Sequence, residues 1–210
     1  MFQIHAVTAN QAQSIEQLSE HIVALLPYVD YVQIREKSRS PKAIAALIDL
    51  IAQHAPTHQL ILNDRTDIAL AMGIERVHLT ESSLPLALLK NAFPLMQFGR
   101  SFHNGAQIRA QLPEYAYGYI GHIFQTRLKT DPPLGLAGLT AIAKEKRAGT
   151  LIAIGGIDEA NIASIAPIVD GVAVMSGLFE RSIAQSIAHA KSLKLLAEQA
   201  IIDARRTCGN

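Results

Sequence analysis

Two periodicities alternate along the chain. Short β-rich runs at Phe2–Val7, Tyr31–Arg35, Gln59–Leu62, Arg76–Leu79, Leu95–Arg100, Tyr117–His122, Leu151–Gly155 and Asp170–Met175 are separated by stretches with apolar residues at helical spacing. Among these stretches are Gln11–Leu26, Pro41–His54, Leu84–Asn91, Leu136–Lys146 and, longest, Gly177–Arg205. Ser40-Pro41 reads as an N-cap followed by proline in the first turn, and Asp158 as a cap for a short helix after Gly155-Gly156. Such alternation requires a parallel sheet with crossovers, either closed into a (β/α)8 TIM barrel or open and doubly wound. Eight strands of ~5 residues, eight helices of ~11 and loops of ~4 need roughly 190 residues. The 210 residues present therefore fit one barrel of near-minimal length. An open sheet usually carries a Gly-rich turn after its first strand, where this chain has Thr8-Ala9-Asn10. The glycine turns follow the seventh and eighth strands instead, where barrels commonly build a phosphate site. No internal repeat, linker or low-complexity segment divides the chain, so residues 1–210 read as a single α/β domain.

Composition narrows the ligand. With 49% hydrophobic and 18% charged residues the chain is globular rather than disordered. Only 5% of residues are aromatic and none is Trp, which argues against a stacking surface for single-stranded nucleic acid. A formal charge of +1 supplies no global field for nucleic acid or an anionic membrane, so an anionic ligand must be held locally. The single cysteine, Cys208, cannot form an internal disulfide and reads as incidental. The N-terminus lacks a signal-peptide pattern and no run approaches ~18 apolar residues, so a cytoplasmic location is expected.

Polar residues collect at the C-terminal ends of the strands, where barrels carry their active sites. They are Gln33, Arg35 and Lys37; Asn63, Asp64 and Arg65; Glu81 and Ser83; Ser101 and His103; His122 with Lys129; Gly155-Gly156; and Ser176-Gly177. Strand alternation sets Gln33, Arg35 and Lys37 on one face and Ile34 and Glu36 on the other. Two inward cations need an anionic partner, either a phosphate or carboxylate ligand or a buried network with Asp64 or Glu81. Glycine lets backbone N–H groups approach a phosphate closely, although many such turns use it for geometry alone. His122 ends a strand just past Gly121, a position suited to general acid/base work or to a core histidine bonded to backbone. Asp64 has the chemistry to ligate Mg2+ beside a substrate phosphate or to pair with Arg65 or Arg35, whereas Asp67 belongs to the first turn of the next helix. The remaining histidines carry less, and no HExxH or paired-Cys spacing suggests zinc.

Seven segments resemble the thiamine phosphate synthase superfamily in content and order. They are Val32-Gln33-Ile34-Arg35-Glu36-Lys37, Leu62-Asn63-Asp64-Arg65-Thr66-Asp67-Ile68-Ala69, Val77-His78-Leu79, Gly99-Arg100-Ser101-Phe102-His103, Pro133-Leu134-Gly135-Leu136, Ile154-Gly155-Gly156-Ile157 and Gly171-Val172-Ala173-Val174-Met175-Ser176. The resemblance implies a (β/α)8 barrel and a small phosphorylated thiazole substrate. Two departures separate its branches. Synthases carry a second acidic Mg2+ ligand after the Val-His-Leu strand, where this chain has Thr80-Glu81-Ser82-Ser83. They also carry Gly-Pro-Ile-Phe-Pro-Thr where this chain has Gly121-His122-Ile123-Phe124-Gln125-Thr126, which is similar to the thiazole tautomerase branch with its acid/base histidine.

The resemblance therefore implies a tautomerase that aromatises a carboxythiazole phosphate by proton transfer through His122. Arg35 and Lys37 hold the carboxylate, Gln33, Asn63 and Lys129 contact substrate, and Gly155, Gly156, Ser176 and Gly177 bind phosphate. Lys129 has the weakest support, because Thr126-Arg127-Leu128-Lys129 only partly follows either branch. No cofactor is required for that reaction. The alternative is a thiamine phosphate synthase, an Mg2+-dependent transferase using Asp64 as a ligand. A non-catalytic regulator binding a related ligand is a third reading. Oligomeric state stays open, with a homodimer implied by the superfamily's habit.

Overall fold

The computed structural model describes residues 1–10, 13–127, 129–145 and 148–208. Its strands are β1 (Gln3–Val7), β2 (Tyr31–Ile34), β3 (Leu60–Asn63), β4 (Arg76–Leu79), β5 (Gln97–Phe102), β6 (Tyr117–Gly121), β7 (Thr150–Ile154) and β8 (Gly171–Val174). Each pairs in parallel with the next and β8 closes onto β1, giving a (β/α)8 TIM barrel. The helices are α1 (Ile15–Leu25), α2 (Pro41–Ala52), α3 (Thr66–Ala71), α4 (Leu86–Ala92), α5 (Gly105–Gln111), α6 (Gly135–Glu145), α7 (Ile162–Ile165), α8 (Ser176–Phe179) and α9 (Ile183–Cys208). None of the described helices is long and apolar enough to cross a membrane.

Local chemistry explains where the helices begin. Ser14 and Gln17 form a reciprocal capping box, so α1 starts at Ile15; Gln11 and Ala12, assigned to this helix from periodicity, lie outside the described residues. Ser40 caps α2 by accepting from the Ala43 amide at 3.2 Å, as its sequence predicts. The continuous helix expected over Gly177–Arg205 is instead two. Ser182 accepts from the Gln185 amide while Gln185 accepts from the Ser182 amide, and this second reciprocal cap starts α9 after a break. Asp158 does not cap α7 directly. Its carboxylate accepts from Ala160 in a turn that precedes the helix.

Outward-facing strand residues such as Ile4, Val32, Phe98 and Leu151 pack against the helices in the main apolar core. The inward set is smaller and mixed. Val7, Ile61, Tyr117, Tyr119, Ile152 and Ala173 form an inner cluster, and His5 and His78 are buried beside it. His5 Nε2 lies 3.0 Å from Gln3 Oε1, which can only accept, so Tyr119 donates to Nδ1 across 2.9 Å. His78 bridges Tyr117 at 3.2 Å and Ser101 at 2.9 Å. Burial, reinforced by neighbouring cations, lowers both imidazoles to about 3. Uncharged polar groups thus fill the barrel beneath its mouth.

Gly99 makes room for this filling. A Cβ there would lie 2.1 Å from Cζ of Tyr117, its neighbour in the β5–β6 register. Gly99→Ala must displace a ring held by His78, and overpacking of this kind costs ~1–3 kcal/mol or more. The expected result is a lower urea midpoint with an unchanged slope; an unaltered midpoint would show that the tyrosine moves freely.

Candidate active site

The strand C-termini open onto one rim. On its β2–β4 side a cleft of about 360 Å3 is lined by Lys37, Asn63, Asp64, Arg65, Thr80 and Ser82, among others. Gln33 does not line this cleft and is buried on the opposite face of β2 from Ile34, which does. Its Nε2 donates to Asn63 Oδ1 at 3.0 Å, and its buried Oε1 has no partner among the described residues. Arg35, just beyond β2, is fixed through its amide, which donates to Thr8 Oγ1 at 2.8 Å. Its side chain is half-buried, while Lys37 is exposed.

The inward network weighed for Arg35 and Lys37 does not form among the described residues. Glu81 lies 3.4 Å from His103, and Asp64 accepts a hydrogen bond from Ser83. The buried acid of this region is Glu36, which the alternation assigned only to the face opposite Arg35. Its carboxylate takes Arg39 at 2.9 Å and the Asn10 amide at 3.2 Å, so it ties the β1 and β2 loops together. The Arg-Glu-Lys run therefore divides: the acid is structural, and neither flanking cation makes an ion pair among the described residues.

Asp64 occupies a left-handed turn at φ 55° and is exposed. No ion pair of Asp64 with Arg65 or Arg35 forms among the described residues, because Arg65 forks onto Asp67 at 2.8 and 2.5 Å. That contact holds the Asp67 carboxyl below its ordinary range, and Asp67 sits in the first turn of α3 as predicted. Ser83 gives Asp64 a hydroxyl donor where a second carboxylate would be needed to share a cation. No group of three His, Cys, Asp or Glu side chains converges as a metal site among the described residues. This donor set does not fit a two-carboxylate Mg2+ site.

The β6–β8 side is built differently. His122 follows β6 and is half-buried at the rim rather than in the core. Its Nε2 lies 3.0 Å from the Asp131 carbonyl, which can only accept. In the neutral ring the proton is therefore on Nε2, and Nδ1 is an acceptor without a partner among the described residues. Gly155 and Gly156 adopt φ of 103° and 68° and press against the same segment. A Cβ at Gly155 would lie 2.4 Å from that of His122, and one at Gly156 2.7 Å from the Gln125 carbonyl. These glycines consequently position His122 whatever they also bind. Ser176 and Gly177 form the first turn of α8 at the end of the adjacent β8. Lys129 is exposed in the β6–α6 loop, and its carbonyl accepts from Gln125 at 3.4 Å. None of Gln33, Arg35, His122 and Lys129 lines the β2–β4 cleft, which of the predicted residues takes Lys37, Asn63 and Asp64.

Comparison with known proteins agrees with this architecture. The family model for thiamine monophosphate synthase matches residues 4–178. A thiamine-phosphate synthase of Albidiferax ferrireducens is 38% identical over 162 residues, 71% of each chain. One of Roseiflexus castenholzii is 31% identical over 183 residues, 83% of this chain and 80% of the relative. In three dimensions the barrel resembles thiamine phosphate pyrophosphorylase from Pyrococcus furiosus, with a TM-score of 0.77 at 21% identity over 95% and 97% of the two chains. These relatives carry the name of the transferase; the isomerase branch has no counterpart among them. By the match to its model across most of the described barrel, the chain belongs to the thiamine monophosphate synthase family.

Proposed function

We propose that the chain is a thiazole tautomerase, converting a carboxythiazole ethyl phosphate tautomer to its aromatic form. The observation that carries this reading is His122 at the end of β6, with Nε2 committed to the Asp131 carbonyl and Nδ1 unpartnered among the described residues. Aromatisation removes a proton from one carbon and delivers one elsewhere on the conjugated system. Nδ1 takes the first proton, and the imidazolium, steadied through Nε2, returns it. No net electron transfer occurs, so the reaction needs no redox partner. Arg35 and Lys37 supply cations for the carboxylate. The amides of the Gly155-Gly156 and Ser176-Gly177 turns suit the phosphate, and Gln33 and Asn63 contact the ring edge. Lys129 is assigned a contact with the phosphate from the loop above. The protein would work without a metal.

A second reading, thiamine phosphate synthase, is favoured by the names of the relatives and by the unpartnered Gln33 Oε1, a buried acceptor suited to an amino group on a pyrimidine. It needs Mg2+, which the Asp64–Ser83 pairing suits poorly. Two assays separate the readings: the thiazole tautomer alone with a chelator, and aromatic thiazole phosphate with pyrimidine pyrophosphate and Mg2+. Chelator-resistant isomerisation is expected. Metal-dependent formation of thiamine phosphate without isomerisation would overturn the proposal. A homodimer and a cytoplasmic location remain part of the proposal, checked by light scattering and by cell fractionation.

A further inference from the structure

His189 lies in the second helical turn after the α9 cap, 2% exposed, with no role in the chemistry above. One ring edge faces the β7–α7 loop, where Nδ1 is 2.9 Å from Glu159 Oε1, three residues beyond Gly156. That approach is within ion-pair distance but off the axis of a good hydrogen bond, and both ring nitrogens lack an aligned partner. The other edge backs the β8 turn. A Cβ on Gly177 would lie 2.9 Å from Nε2 and 3.3 Å from Cδ2. One buried imidazole thus backs Gly177 of the β8 turn directly and meets the β7–α7 loop at Glu159, three residues beyond Gly156. The contact with His189, with smaller contributions from Ser192 and Arg181, holds the Glu159 carboxyl below its ordinary range and keeps it an anion.

We infer that His189 is a positioning residue for phosphate, spacing the Gly155-Gly156 and Ser176-Gly177 turns into one hollow through its contacts with Glu159 and Gly177. The inference rests on the assignment of phosphate to these turns. A hollow made of backbone amides discriminates by geometry, so a shift of one turn against the other misaligns its donors without touching the ligand. Glu159 is partly exposed, so the link can be cut from the solvent side without opening the core.

Inorganic phosphate is the probe, followed by amide NMR shifts in the full chain. Wild-type protein is expected to show saturable shifts at Gly155, Gly156, Ser176 and Gly177. His189→Gln and Glu159→Gln should each weaken binding about tenfold, a change of ~1.4 kcal/mol. The double variant should lose little more than either single one, because both cut the same link. In the isomerase assay KM should rise and kcat stay within about twofold, a split that loss of general stability would not produce. Absence of phosphate shifts at the turns in wild-type protein overturns the phosphate assignment and this inference with it. Shifts that persist with unchanged affinity in folded Glu159→Gln overturn the inference alone, as does an additive double variant.

Discussion

His122→Asn is expected to lower kcat for isomerisation by ~10²–10⁴-fold, the range general acid/base groups supply, with KM nearly unchanged. The reason is the division of labour within the ring. Asparagine can still donate to the Asp131 carbonyl, the contact now made by Nε2, but has no base to replace Nδ1. The β6–α6 loop also keeps its backbone ties, since the Leu134 amide donates to the His122 carbonyl and the Gly135 amide to that of Ile123, both at 2.9 Å. The substitution therefore separates chemistry from loop structure. His122→Ala should behave alike in kcat and lose in addition some loop order. The measurement is single-turnover isomerisation beside a phosphate titration. If His122→Asn retained more than about a tenth of the wild-type rate, His122 would not be the shuttle.

How much of this was legible beforehand depends on the distance over which each signal acts. Strand alternation and the helical stretches place all eight strands within two residues at every end, because period and strand length are local properties. Chain position likewise places Gln33, Arg35, Asn63 and His122 at or just past the C-terminal ends of β2, β3 and β6, where the structure has them. The break between α8 and α9 was also written locally, in Ser182 and Gln185 at capping-box spacing, but the apolar period runs through it and masked it. Partnerships were not legible. Asp64 is equally plausible beside Arg65, Arg35 or Ser83 on chemical grounds, and the choice is made by Arg65 turning to Asp67 and by β4 bringing Ser83 across 19 residues. His5, His78 and His189 were set aside because a histidine has no periodicity of its own. The signal available for His5 was its place between Gln3 and Val7 on the face opposite Ile4 and Ala6, which marks an inward, polar-filled barrel.

That filling makes the protein acid-sensitive at a pH where its carboxylates scarcely titrate. His5 and His78 are lowered to about 3, against an ordinary imidazole near 6.5, chiefly by burial, with further lowering of His5 by His78 and Arg76 and of His78 by Arg35. Between these values the unfolded chain binds protons that the folded chain refuses, so stability is complete above pH 6.5 and falls as pH drops toward 3. From pH 6.5 to 5 the linkage amounts to ~2 kcal/mol for each histidine, or ~4 for the pair. That is a large share of the ~5–15 kcal/mol typical of a domain. His21, lowered in the same direction by burial, adds to the trend. Urea midpoints measured at several pH values over this window should fall steeply, and His5→Gln should flatten the slope by about one proton while lowering the midpoint at pH 7.5. An identical slope in His5→Gln would mean that the ring accepts a proton in place. Keeping both imidazoles neutral has a consequence at the mouth as well. The two imidazoles add no charge beneath the mouth, where Arg76, stacked over the Tyr31 ring at 4.5 Å, is the cation acting on His5. The buried neutral imidazoles that fill the barrel are thus what makes the fold fail in acid.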